Sequence, residues 1–138
     1  MTLSEKRRSI PVIEALSLPH IVIAATPLDG TVTSERARRK CLELLLPTLE
    51  KEYGVSRLVL ESRETSQDDR DLVFVRGLRS RRFISQLRVD FAPGFSDARL
   101  WIADQALGAI GDAQRGRQDF SSFLKTLDMR ELDLHHLA

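Results

Sequence analysis

Two acids stand where a divalent cation would find ligands. Glu61 closes the apolar run Leu58-Val59-Leu60, and Asp104 lies in the stretch Leu100-Trp101-Ile102-Ala103-Asp104-Gln105-Ala106-Leu107-Gly108. A carboxylate at the end of a parallel strand, near another on a later helix, is one way a fold holds a divalent metal. Each acid also has a plainer reading. Glu61 can pair with Arg63 or with an arginine of the next helix, and Asp104 can be a rim residue beside the packing glycines Gly108 and Gly111. Residue type alone leaves these alternatives open.

The remaining polar clusters carry weaker signals. Asp68, Asp69 and Asp71 read as first-turn acids that complement a helix dipole. Arg79, Arg81 and Arg82, with Arg88 and Arg63, make a candidate nucleic-acid contact, set against the simpler reading of a solvated helix end. His20, His135 and His136 show no ligand spacing with Cys41, so zinc is not expected. The chain carries no phosphate-binding glycine loop, dinucleotide fingerprint or nucleophile elbow.

Composition narrows the class. At 138 residues, 42% hydrophobic and 30% charged, the chain reads as one globular domain. A net charge of +1 gives no global field toward nucleic acid or an anionic membrane. The single cysteine forbids an internal disulfide and points to a cytoplasmic setting. No apolar run approaches the roughly 18 residues of a membrane span, and the charged start of the chain is unlike a signal peptide.

Periodicity then places the elements. Residues 1–18 form an N-terminal helical segment, with Ser4 to Leu16 a short helix broken or restarted near Pro11. His20 to Ala25 is a buried strand, ended by the turn residues Thr26 to Gly30. Ser34 caps a helix to Glu52 whose apolar face is Ala37, Cys41, Leu45 and Leu49, kinked or divided at Pro47. Val55 to Glu61 is a second strand, Ser66 to Arg82 a helix capped by Ser66, and Leu87 to Phe91 a third strand with one wet face. Pro93-Gly94 turns the chain, and Ser96 caps a helix to about Arg115. Its apolar arc is Leu100, Ile102, Ala103, Ala106, Leu107, Ala109 and Ile110. Phe120 to Leu137, within a tail of residues 117–138, reads as a C-terminal helix. The expected fold is α/β: one small, mostly parallel three-stranded sheet in β-α-β-α-β-α order with end helices. Such a sheet leaves two edges to protect.

Val59-Leu60-Glu61-Ser62-Arg63, Asp69-Arg70-Asp71, Leu100-Trp101-Ile102-Ala103-Asp104 and Gly108-Ala109 together resemble the C-terminal half of an uncharacterised bacterial family with a ribonuclease-H-like fold. The likeness spans roughly His20 to Gly116. It implies a truncated ribonuclease-H-like domain related to metal-dependent nucleases, in which Glu61 and Asp104 would hold Mg²⁺ or Mn²⁺. Family members open with an Asp-Glu-Ser-Gly strand that is missing here, so the reading frame starts late, a partner supplies the strand, or the chain is a remnant. That departure argues against catalysis by the isolated chain. The alternative is a non-catalytic module that pairs through an open sheet edge, with itself as a homodimer or with a strand-donating partner.

Overall fold

In this computed structural model, residues 2–26, 30, 32–94, 96, 98–116 and 119–134 are described. The elements run α1 (Leu3–Ala15), β1 (Ile21–Thr26), α2 (Ser34–Lys51), β2 (Arg57–Glu61), α3 (Thr65–Ser80), β3 (Arg88–Ala92), α4 (Ala98–Gln114), α5 (Ser121–Leu124) and β4 (Asp128–Asp133). The α/β character and the alternating order are as expected. The single three-stranded sheet is not: β1 pairs with β4, and β2 pairs with β3. The chain divides into two compact units, residues 1–22 with 94–129 and residues 23–93 with 130–138.

The first unit is built on α1, α4 and α5. Thr2 and Glu5 form a capping box, and α1 runs unbroken through Pro11, so the expected break does not occur. Its buried face, Ile10 and Ile13, packs on Ala106 and Ala109 of α4 and on Phe120 and Phe123. A buried ion pair crosses the same seam: Lys6 Nζ lies 2.7 Å from Asp112 Oδ2, and Asp112 also accepts from Arg115 at 2.7 Å. Ser9 donates to Gln105 at 2.7 Å. These bonds correct the apolar arc expected for α4. Gln105 and Asp112 are buried, whereas Leu107 is 60% exposed and Trp101 49%. A helix apolar nearly all round does not select its own buried face. Here the lysine of α1 selects it, because a buried cation requires a partner.

The second unit holds α2, the β2–β3 pair and α3. Thr33, not Ser34, caps α2, and Glu64, not Ser66, opens α3. The helix α2 continues through Pro47, and its buried residues are Ala37, Leu42, Leu46 and Thr48. The packed face is thus rotated from the one expected through Cys41, Leu45 and Leu49. Leu42 and Leu46 meet Val75 and Leu78 of α3, with Ile84 and Leu87, and Leu58 and Val89 pack against this cluster from the strands. Strand alternation sends Arg57, Val59 and Glu61 to the opposite face, together with Asp90.

The largest correction is at the C-terminal end. Between Phe120 and Leu134 there is no long helix, only the four residues of α5 followed by β4. The run Asp128-Met129-Arg130-Glu131-Leu132-Asp133 alternates half-buried with exposed positions, and β1 supplies the backbone partner a strand needs. Residues 117, 118 and 135–138 of the expected tail, with His135 and His136, lie outside the described residues, as do Pro27, Leu28 and Asp29 of the expected turn.

Candidate functional site

The β2–β3 pair is a two-stranded sheet, with no third strand beside it among the described residues. The strands are parallel, with Arg57 opposite Arg88, Val59 opposite Asp90 and Glu61 opposite Ala92. At the ends of the ladder the Arg88 N–H donates to the Ser56 carbonyl and the Ser62 N–H to the Ala92 carbonyl, each at 2.9 Å. Because backbone groups alternate along a strand, Ser56, Leu58, Leu60 and Ser62 turn their N–H and C=O toward β3. Arg57, Val59 and Glu61 turn theirs the other way. Among the described residues no strand pairs with that outer edge of β2.

The chain entering β3 is held on its outer side. Glu50 on α2 accepts backbone N–H groups of Ser85, Gln86 and Leu87 at 2.7, 2.8 and 2.6 Å. Burial opposes ionisation of Glu50, but these bonds outweigh it and hold the carboxyl below its usual range. Arg79 donates to the Leu87 carbonyl at 2.7 Å, so both main-chain groups of Leu87 are occupied. Asp90 then places a charge in the middle of β3, a common defence of an edge. Strand β2 has no such defence, with Leu58-Val59-Leu60 at its centre.

Beyond β2 the chain is clamped by charge. Arg63 pairs with Glu35 of α2 and, at 3.0 Å, with Asp71 of α3, while Arg38 reaches Asp71 at 2.9 Å. The Asp71 side chain is 3% exposed, so this carboxylate ties the strand end to both helices. The bond from Arg63 holds the Glu35 carboxyl below its usual range. Asp68 accepts the Arg63 N–H at 2.9 Å. Beside the clamp lies a cleft of ≈ 500 Å³ lined by Glu35, Arg39, Asp69, Arg70, Val73 and Phe74.

The residues singled out from sequence are distributed as follows. Glu61 is exposed at the end of β2 in the second unit, and Asp104 is exposed on α4 in the first. Neither takes part in an ion pair among the described residues, so the pairing of Glu61 with Arg63 is not formed. No three His, Cys, Asp or Glu side chains gather as a metal group among the described residues. Arg63 stands before α3, and Arg79, Arg81 and Arg82 stand at its far end. The 16 residues of that helix separate the two sites by about 24 Å. Arg81 stacks over Phe83, 5.0 Å from the ring centroid. Cys41 is half-buried, and burial pushes its thiol up. His20 packs edge-on against Phe123 with centroids 5.4 Å apart, its buried Nε2 has no partner among the described residues, and burial pushes the imidazole down. Sequence reasoning missed Glu50, whose signal is only an acid near a helix end.

Comparison with protein-family models, curated proteins and solved structures finds no match. The geometry of this chain therefore carries the functional reading.

Proposed function

We propose that this chain is a non-catalytic interaction module whose working surface is the outer edge of β2. The single supporting observation is the asymmetry of the β2–β3 pair: Glu50 and Arg79 hold both main-chain groups of Leu87 just before β3, whose middle carries the charge of Asp90, while Arg57, Val59 and Glu61 of β2 aim their main-chain groups outward with no strand beside them among the described residues. A strand added there gains main-chain hydrogen bonds and extends the apolar face that rests on α2 and α3. Val59→Pro tests the reading. It deletes an outward N–H without removing a β2–β3 bond, so the fold should survive while strand addition is lost. Hydrogen exchange should show fast amides at Arg57, Val59 and Glu61 and slow amides at Leu58 and Leu60 in the unpaired chain. Uniform protection along β2 in a monomer would refute the proposal.

A second reading, a ribonuclease-H-like, Mg²⁺- or Mn²⁺-dependent nuclease, rests on the motif resemblance. Its favouring observation is that Glu61 and Asp104 are exposed and outside every described ion pair. Two carboxylates are too few for a two-ion centre, which needs further oxygen ligands. Calorimetric titration with Mn²⁺ decides it: heat that disappears in Asp104→Asn would favour this reading, and no heat would remove it. Nucleic-acid contact through Arg79, Arg81 and Arg82, and a cytoplasmic setting, belong with this second reading.

A further inference from the structure

We infer that the strand received by β2 is β2 of a second copy of this chain, antiparallel and centred on Val59. The inference rests on the strand-pairing reading above and names its partner.

The residues of β2 are complementary to themselves when reversed. In Arg57-Leu58-Val59-Leu60-Glu61, antiparallel pairing about the centre sets Arg57 against Glu61 of the second copy, Leu58 against Leu60, and Val59 against Val59. The hydrogen-bond phase agrees independently. Arg57, Val59 and Glu61 already turn their N–H and C=O to the free edge, and this register makes them the hydrogen-bonded pairs of the new ladder. Leu58 and Leu60 become the close non-bonded pairs, on the face that packs against the helices.

Charge completes the argument. Arg57 lies 2.7 Å from Asp90 and is 60% exposed, with room for a second acid. Glu61 is exposed and in no ion pair among the described residues. Pairing would align Asp90, Arg57 and Glu61 of the second copy across one face of a four-stranded sheet. The same operation on β3 is disfavoured. Centred on Asp90 it opposes two aspartates, and centred on Val89 it needs the main-chain groups of Leu87, which Glu50 and Arg79 hold. A two-fold axis through Val59 closes the assembly at a dimer, with β3 of each copy as the outer strand.

The test is solution mass by light scattering on the full chain. The wild type should reach twice 15.6 kDa as concentration rises. Arg57→Glu and Glu61→Arg each create two like-charge pairs per dimer and should weaken association roughly tenfold or more. Mixed in equal amounts, the two variants restore both opposite-charge pairs and should regain the dimer. If Arg57→Glu does not fold, having lost its Asp90 bond, Glu61→Arg breaks no described ion pair and carries the test by becoming monomeric. A wild type that stays at 15.6 kDa, single variants that remain dimeric, or a mixture that stays monomeric would overturn self-pairing. Amide exchange separates the two levels of the argument. Fast Arg57, Val59 and Glu61 amides in a monomer retain strand pairing with a different partner, and slow ones remove both claims.

Discussion

Replacing Glu50 by alanine tests what holds β3 in place. Its carboxylate receives three consecutive backbone N–H groups at 2.6–2.8 Å, including that of Leu87, a residue with 0% exposure. Hydrogen bonds to a charged acceptor contribute about 1.5–3 kcal/mol each when buried, and an orphaned buried N–H costs about 1–3 kcal/mol. Glu50 is half-buried, and water replaces the bonds to the exposed Ser85 and Gln86, so the Leu87 bond dominates. The expected loss is about 2 kcal/mol, or a fall in Tm of roughly 6–10 °C for a chain of this size. The substitution should also change the acid limb of stability. The Glu50 carboxyl is held below its ordinary value, so its contribution is complete above the unfolded value and is lost as pH falls through the folded one. Glu50→Ala should therefore lose less on acidification than the wild type. Thermal melts at neutral and acid pH measure both effects. A variant that melts within a degree of wild type, with an unchanged acid limb, would refute the claim that this carboxylate positions β3.

Three further outcomes are expected. Asp71→Ala leaves Arg38 and Arg63 facing each other without their shared acid and should cost about 2–4 kcal/mol, read from chemical denaturation. For His20, burial sets the folded pKa below the ordinary 6.5, so the unfolded state takes up its proton first and stability falls as pH drops below that value. His20→Phe should flatten the slope, and melts on both sides of 6.5 that keep the wild-type difference would contradict this. Arg82 follows the end of α3 with φ 65°, a conformation that costs a non-glycine residue roughly 1–2 kcal/mol. Arg82→Gly should raise stability by a few tenths to about 1 kcal/mol, since glycine returns part of the gain through a more flexible unfolded chain.

Local pattern was sufficient for most of the elements. The apolar runs near residues 21–26 and 57–61 and the alternating run near 88–92 appear as strands, and the helices between them lie within a few residues of their expected bounds. A short run rich in branched apolar residues states its own preference. What a segment pairs with is a different matter. The alternation of residues 128–133 does not announce a strand by itself, because a helix bonds to itself, whereas a strand exists only beside another, and β1 lies about a hundred residues earlier. The buried face of α4 was set by Lys6 and Ser9, which no periodicity within α4 contains. Glu50 reaches residues 35–37 positions away. Side-chain order along β2 is written in the chain, including its reversed complementarity. Only the tertiary structure decides which edge of β2 is free, because β3 takes the main-chain groups of Leu58 and Leu60 and no described strand pairs with those of Arg57, Val59 and Glu61.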